Sequence, residues 1–357
     1  MNIVSYKCPN CGAPLEFNAE SQKWDCEFCL SSFDVATLEK MLEQSTSKEQ
    51  AQEATEDVRQ QHQHEDFSDK VRVFSCPSCG GQVLADENTA ATFCIFCHNP
   101  AIVEENLSGE FRPAQIIPFK TTKEDAQNAF RKLCKKRPLL PNLFHQKTNI
   151  EKITGLYVPF WLYSCHTDAT LFANAQRISR WSDSNYNYTK TDYYEVFRSG
   201  RMDFSKVPAD GSKKMDNDLM DSLEPYQYAE LKEFSMAYLS GFLAEKYDVD
   251  DKETYPRAKG RMTETARQKL RETIQTYDAV QIRDFQPSFS REQIDYVLLP
   301  VWMLNTRYKD KDYLFAMNGQ TGKIVGNLPI SIPKLIAWFG LITAVVLAIL
   351  TIGGILL

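Results

Sequence analysis

Hydrophobic positions are most concentrated near the C-terminus, where the 23 residues from Leu335 to Leu357 include no charged side chain. A helix of this length covers about 34 Å, enough to cross a hydrocarbon core of roughly 30 Å. The alternative, a buried helix of a soluble domain, normally has a polar face, which this segment lacks. Pro333 suits the first turn of such a helix, and Trp338 is placed near a membrane interface. The pattern predicts one transmembrane helix over residues 335–357.

Residues 111–330 mix helical and strand-like hydrophobic spacing, which predicts an α+β domain with its own core. A capping box at residues 122–125 predicts a helix that ends near Arg137, and further helices are predicted over residues 228–247 and 263–277. The remaining apolar runs predict strands, and Asn318-Gly319 predicts a hairpin turn after the last of them. These strands cover residues 156–163, 170–178, 193–204, 296–308 and 313–317.

Eight of the ten cysteines form two copies of the pattern Cys-x2-Cys-x14-Cys-x2-Cys. Two thiolates in one tight turn can reach the same tetrahedral ion at roughly 2.3 Å, and a second turn completes its coordination. Each copy therefore predicts a zinc ribbon with one structural Zn²⁺ and no open position for a catalytic water. The ligands of the first are Cys8, Cys11, Cys26 and Cys29, and those of the second are Cys76, Cys79, Cys94 and Cys97.

Two other uses of these cysteines are less consistent with the sequence. Disulfides require an oxidising compartment, and residues 1–7 lack the apolar core of a signal peptide. Residues 94–98 match the Cys-x-x-Cys-His pattern of covalent haem attachment, but Leu30 stands in the first copy where the second has His98. The histidine is therefore not part of the repeated unit.

The stretch between the ribbons, residues 36–70, is rich in Glu, Gln and Lys. This composition predicts a polar helical or disordered linker. His62 and His64 lie in it and are interpreted as solvated residues rather than metal ligands. The predicted fold class is thus multidomain, with two small β zinc ribbons, an α+β domain and one C-terminal transmembrane helix. The predicted bounds are 1–35 and 71–105 for the ribbons, 36–70 for the linker, 111–330 for the α+β domain and 335–357 for the helix.

The distribution of net charge along the chain distinguishes protein, nucleic acid and lipid as possible partners. Residues 1–110 contain 7 Lys and Arg against 19 Asp and Glu, a net charge of −12, and four thiolates around each zinc add about −2. Nucleic-acid binding draws most of its affinity from cations that neutralise phosphates. Residues 1–110 are therefore better suited to binding proteins than to binding nucleic acid. Residues 111–357 carry a net charge of +6, part of which can face anionic lipid.

The positive-inside rule predicts the orientation of the span. Several cations precede it, including Lys309, Lys311 and Lys334, and no charged residue follows it in the sequence. The bulk of the chain is therefore predicted to face the cytoplasm, which also keeps the thiols reduced for zinc.

The order of these segments, together with residues 238–248 and 313–323, resembles the bacterial YdjG-type membrane proteins with double zinc ribbons of the TFIIB type. This resemblance runs along nearly the whole chain. It implies that the chain is a membrane-bound partner for PspA-like and SPFH-domain proteins. It implies no catalytic residues.

The sequence therefore predicts a non-enzymatic, tail-anchored scaffold or adaptor of the cell membrane, which recruits partner proteins in envelope maintenance or stress response. A membrane-tethered nucleic-acid-binding protein is the alternative, and a basic groove on the ribbons would favour it. An enzyme in residues 111–330 is a third possibility, and a deep pocket with converging polar groups would favour that.

Overall fold

The computed structural model describes residues 8–13, 15–38, 40, 71–76, 80, 82–86, 94–96, 103–105, 113–239, 241–309 and 311–356. Most of the predicted linker over residues 36–70, with His62 and His64, lies outside the described residues. The strands are β1 Glu16–Asn18, β2 Lys23–Asp25, β3 Ser32–Phe33, β4 Val71–Ser75, β5 Gln82–Asp86, β6 Val103–Glu105, β7 Gln115–Ile116, β8 Thr154–Ser182, β9 Asn187–Asp210, β10 Lys232–Glu233, β11 Leu243–Glu245, β12 Ala279–Tyr308, β13 Lys311–Asn318 and β14 Ile324–Gly326. The α-helices are α1 Lys123–Lys135, α2 Lys147–Ile150, α3 Asn217–Ser222, α4 Asp251–Glu272 and α5 Ile332–Leu356.

The strands form two sheets. A small antiparallel sheet has the order β1-β2-β3 and belongs to the first cysteine pattern. The larger sheet is mixed, with the order β10-β7-β12-β8-β11-β5-β4-β6, while β13 pairs with β12 and β14, and β9 pairs with β8. Strands β8 and β11 pair in parallel. Strands β4 and β6 flank the second cysteine pattern and β5 lies within it, and the three strands extend this sheet through β11 instead of forming a separate sheet.

The chain divides into two compact units. The first comprises Met1–Pro159, Ser212–Lys246 and Leu298–Leu357, and the second comprises Phe160–Gly211 and Tyr247–Val297.

Aromatic rings form the centre of the first unit. Phe119 stacks on Phe242 with 4.2 Å between ring centroids, and Tyr157 and Trp302 meet Phe119 edge-on. Gly319 allows this packing, because a Cβ at this position would lie 2.6 Å from the Phe119 ring. The Asn318-Gly319 turn is therefore required for core packing as well as for the β13–β14 hairpin.

In the second unit one face of the long β8–β9 hairpin packs against α4. The strand residues alternate between buried and exposed, as a half-buried strand requires. The buried face of β8 includes Leu171 and Ala173, which lie in one cluster with Leu270 of α4. Cys165 lies in a neighbouring cluster with Met262.

The predicted helix after residue 122 is confirmed as α1. Thr122 caps it, since its hydroxyl accepts from the Asp125 N–H at 3.1 Å while the Asp125 carboxylate accepts from the Thr122 N–H at 2.9 Å. This contact holds the pKa of Asp125 below its usual range. The predicted hairpin is also confirmed as β13 and β14.

The predicted helix over residues 228–247 is wrong. The segment instead contains 3-10 turns at Tyr228–Glu230 and Met236–Leu239 and the short strands β10 and β11. Its aromatic residues are spaced as on a helix but pack in different places: Tyr238 against Trp24, and Phe242 against Phe119. Gly241 has a φ of +82°, which further excludes a continuous helix.

Two other boundaries differ from prediction. The helix predicted over 263–277 begins twelve residues earlier, at Asp251 of α4, where the Asp250 carboxylate accepts from the Glu253 N–H at 2.7 Å. Pro256 lies inside the helix and obscured this start in the sequence. The strands predicted over 156–163 and 170–178 are one strand, β8, and the one predicted from residue 296 starts at Ala279 as β12.

One helix among the described residues is long and apolar enough to cross a membrane, Ile332–Leu350 within α5. None of it is buried in the protein.

Candidate metal centre

The first cysteine pattern brings four sulfur atoms together. The Sγ atoms of Cys8, Cys11, Cys26 and Cys29 all lie within 4.8 Å of one another. Those of Cys8 and Cys29 are 3.3 Å apart, and those of Cys11 and Cys26 are 3.5 Å apart. A tetrahedral zinc with bonds of roughly 2.3 Å sets its sulfurs about 3.8 Å apart, so the cluster fits one zinc ion with small adjustments. No described cysteine is in a disulfide.

Two matching turns position these sulfurs. The Gly12 N–H donates to the Cys8 carbonyl at 2.8 Å, and the Leu30 N–H donates to the Cys26 carbonyl at 2.9 Å. Both turns end in a residue with left-handed backbone conformation, with φ of +74° at Gly12 and +58° at Leu30. The turns are joined by the Asn10 side-chain amide, which donates to the Ser31 hydroxyl at 2.8 Å. The local backbone therefore holds the ligand pairs in place.

The pKa values of two of the four thiols are shifted, in opposite directions. Hydrogen bonds with the Ser31 side chain and backbone, and with Cys8, lower the pKa of Cys29 to about 6. The backbone of Ala13 lowers the pKa of Cys11, but desolvation and the sulfurs of Cys26, Cys29 and Cys8 outweigh it and raise this pKa to about 12. Four thiolates this close repel one another unless a positive charge lies between them. A divalent ion supplies that charge.

The second cysteine pattern is described only in part. Cys76 and Cys94 are both buried, whereas Cys79 and Cys97 lie outside the described residues. The turn after Cys76 repeats that of the first pattern: the Gly80 N–H donates to the Cys76 carbonyl at 2.7 Å, and Gly80 has a φ of +68°. This repeat weakly suggests a second site.

Trp24 attaches the first ribbon to the rest of the first unit. Its side chain is 1% exposed, its indole N–H donates to the Ala237 carbonyl at 2.8 Å, and its ring lies 5.2 Å from that of Tyr238. Phe17 contacts both aromatic rings. Gln22 adds a hydrogen bond from its side-chain amide to the Phe119 carbonyl at 2.8 Å. Trp24 was not among the residues predicted from the sequence, where the only signal for it was a large aromatic side chain inside a small ribbon.

A cleft of about 800 Å³ lies beside the metal centre. Four carboxylates of the ribbon line it, those of Glu16, Glu20, Asp25 and Glu27, and Lys123 is the one cation in its lining. Apolar side chains, including Phe17, Phe242, Trp302 and Leu30, form the remainder of its wall together with threonines and glycines. We call this site the acidic cleft. Leu30 is 87% exposed at its edge, so the cleft combines negative charge with accessible apolar surface.

The two cysteines outside the patterns, Cys134 and Cys165, are both buried. Cys134 is buried on α1, where desolvation raises its pKa to about 11. Cys165 is buried and contacts Met262, whereas His166 points to the other face of β8 and pairs with Asp203. Adjacent residues of a strand point to opposite faces, so Cys165 and His166 do not form a thiol–imidazole pair.

The chain is 39% identical to a protein described as uncharacterized, YdjG of Bacillus subtilis (strain 168). The match covers 358 aligned positions, 99% of this chain and 99% of YdjG. No family model matches the chain. No solved structure matches it.

Proposed function

The chain belongs to the YdjG family, and we propose that it is a tail-anchored membrane adaptor whose zinc-stabilised first ribbon docks a basic segment of a partner protein. The observation that carries this proposal is the acidic cleft. Its volume of about 800 Å³ falls in the usual range for binding sites, and its lining joins carboxylates to aromatic rings. A ligand with Lys or Arg beside an apolar side chain complements both features.

Metal binding gives the cleft its shape in this proposal. Cys26 lines the cleft directly, and Glu27 and Leu30 belong to the turn that presents Cys26 and Cys29. A zinc ion at the first centre fixes this turn, because a small ribbon has little core of its own. A second zinc ion binds at Cys76, Cys79, Cys94 and Cys97, which the repeated turn at Gly80 supports.

The anchor is α5, with the bulk of the chain in the cytoplasm. Its membrane-length segment is wholly exposed in the protein, and Lys334 precedes the apolar run. A reducing cytoplasm also keeps the thiols available to zinc.

Charge favours a protein partner over nucleic acid. Residues 8–35 contain five acidic residues and one cation, Lys23, so the ribbon repels phosphate. The family resemblance points to PspA-like and SPFH-domain proteins as partners, and to envelope maintenance or stress response as the setting. We assign no catalytic role to the chain.

The test uses the full-length protein in nanodiscs and a purified PspA-like protein, with binding measured by biolayer interferometry over a salt series. Reversing two cleft charges, Glu16→Lys with Glu27→Lys, should weaken binding about tenfold or more and flatten its salt dependence. The matched control reverses two exposed carboxylates on α4, Glu264→Lys with Glu272→Lys, and should leave binding unchanged. Equal binding by the cleft variant and the wild type would overturn the docking proposal.

A further inference from the structure

The loop that follows α1 contacts the first turn of α5. The Ser331 N–H donates to the Leu139 carbonyl at 2.8 Å, and the Lys334 ammonium donates to the Leu140 carbonyl at 2.6 Å. The membrane-length segment of α5 begins at Ile332 and its uncharged run at Leu335, so the membrane surface lies close to these residues if the helix spans the bilayer. The C-terminal end of α1 is therefore held at that surface.

This end of α1 carries an uninterrupted excess of positive charge. Lys132, Lys135, Lys136 and Arg137 are all exposed, and none forms a salt bridge with a residue that the structure describes. Cations in a last helical turn complement the helix dipole, which accounts for Lys132 and Lys135. Lys136 and Arg137 lie beyond the helix and need another explanation.

A second segment with exposed cations lies beside the same loop. Phe144, just after the loop, meets Tyr308 at 6.3 Å between ring centroids, and Tyr308 is next to the exposed Lys309. Lys311 is exposed on the following strand, whereas Arg307 is offset by Asp312 in the cross-strand register. Asp310 stands between Lys309 and Lys311 in the sequence, so residues 307–312 carry a net charge of only +1, and the marked positive charge is that of residues 132–137.

An apolar groove accompanies these charges. It has a volume of about 270 Å³ and is lined by residues 137–140 on one side and residues 328–330 on the other. Apart from Arg137, the lining side chains are Leu, Ile and Pro. Ile330 is 59% exposed beside it, directly before the membrane-length helix. A groove of this composition at a bilayer surface suits an acyl chain.

We propose that this groove and the cations of residues 135–137 form a binding site for one anionic phospholipid of the cytoplasmic leaflet. The lipid phosphodiester contacts Lys135, Lys136 and Arg137, and the upper part of an acyl chain occupies the groove. The site rests on the proposed membrane anchor, because the contacts of Ser331 and Lys334 are what place it at the bilayer. It distinguishes anionic from zwitterionic lipid, which an apolar helix alone does not.

The experiment is native mass spectrometry of the full-length protein in detergent. Equal amounts of phosphatidylglycerol and phosphatidylcholine with the same acyl chains are added, and the retained lipids are counted. The wild type should retain phosphatidylglycerol at least fivefold over phosphatidylcholine. The variant K135Q/K136Q/R137Q should bring that ratio close to one. Glycerol 1-phosphate, which carries a phosphate on glycerol without acyl chains, should not compete at millimolar concentration.

The control variant K252Q/K259Q/K269Q removes three exposed cations from α4 and should keep the wild-type ratio. Loss of the ratio in this control, no preference in the wild type, or competition by glycerol 1-phosphate would each overturn the lipid site. Flotation of the same proteins with liposomes tests the anchor separately, and all of them should float. A wild type that fails to float refutes the membrane anchor, whereas one that floats without lipid preference refutes only the lipid site.

Discussion

Replacement of Trp24 tests whether the first ribbon depends on its contact with the rest of the first unit. Trp24 is 1% exposed and lies on β2, two residues before Cys26. Trp24→Ala should therefore loosen both the ribbon and the segment it packs on, Met236–Leu239, while β12 and β13 stay unaffected.

The structure sets the size of this effect. Truncation of a buried Trp costs about 3–5 kcal/mol, which includes the ring contacts with Phe17 at 5.0 Å and Tyr238 at 5.2 Å. At 1.4 kcal/mol per factor of ten, local opening should become roughly 100-fold to 4,000-fold more frequent. Trp24→Phe keeps an aromatic ring but leaves the Ala237 carbonyl without its indole donor. That loss costs about 1–3 kcal/mol, so local opening in Trp24→Phe should be more frequent than in the wild type and less frequent than in Trp24→Ala.

Hydrogen exchange read by mass spectrometry measures the opening on zinc-loaded, full-length protein. Peptides from residues 15–33 and 234–239 should exchange faster in the order wild type, Trp24→Phe, Trp24→Ala, and zinc transfer to a chelator should accelerate in the same order. Trp181→Ala is the matched control, because Trp181 is 52% exposed and its ring stacks on that of Tyr188, away from the ribbon in the sequence. Unchanged exchange over residues 234–239 in Trp24→Ala would show that the ribbon is stable without this contact.

Three further predictions follow from the metal sites, the anchor and the charge. Elemental analysis should find two zinc ions per chain and one after Cys26→Ser, and iron, or less than one zinc, would contradict the zinc assignment. Deletion of residues 335–357 should release a folded protein into the soluble fraction, and retention on membranes after a high-salt wash would refute a single anchor. The full-length protein in detergent should show no salt-sensitive binding to DNA or RNA at about 150 mM salt, and micromolar binding that weakens steeply with added salt would refute the charge argument.

The first metal cluster was predictable because its ligands are local. The spacing of Cys8, Cys11, Cys26 and Cys29 places two ligands in each of two short turns, and a hairpin brings these turns together. The acidic cleft was not predictable in this way. Its walls come from residues more than 200 positions apart, such as Glu16 and Trp302, and no periodicity connects them.

The wrong helix over residues 228–247 has a similar cause. Spacing of three or four residues indicates a helix only if the apolar side chains share one partner surface. Here Tyr238 packs against the first ribbon and Phe242 packs in the aromatic core. The two side chains therefore have different partner surfaces, and the segment does not form one helix. The long strands were underestimated for another reason. The outer half of β8 is mostly polar on its exposed face, and its alternation is clear only once α4 covers the other face.

Helix α1 links the two proposed binding sites of the first unit. Its first residue, Lys123, lines the acidic cleft, and its last, Lys135, begins the cluster proposed to bind lipid. The helix has 13 residues, so about 20 Å separates its ends. A segment docked in the acidic cleft would therefore be held within about 20 Å of the bilayer surface. If both proposals hold, anionic lipid there would attract the same basic partner that the cleft would accept, and the cations of α1 would offset the repulsion between the acidic ribbon and the membrane. With the carboxylates in the ribbon at one end of α1 and the cations at the other, a protein of negative net charge could in this way bring a positively charged partner to a negatively charged membrane.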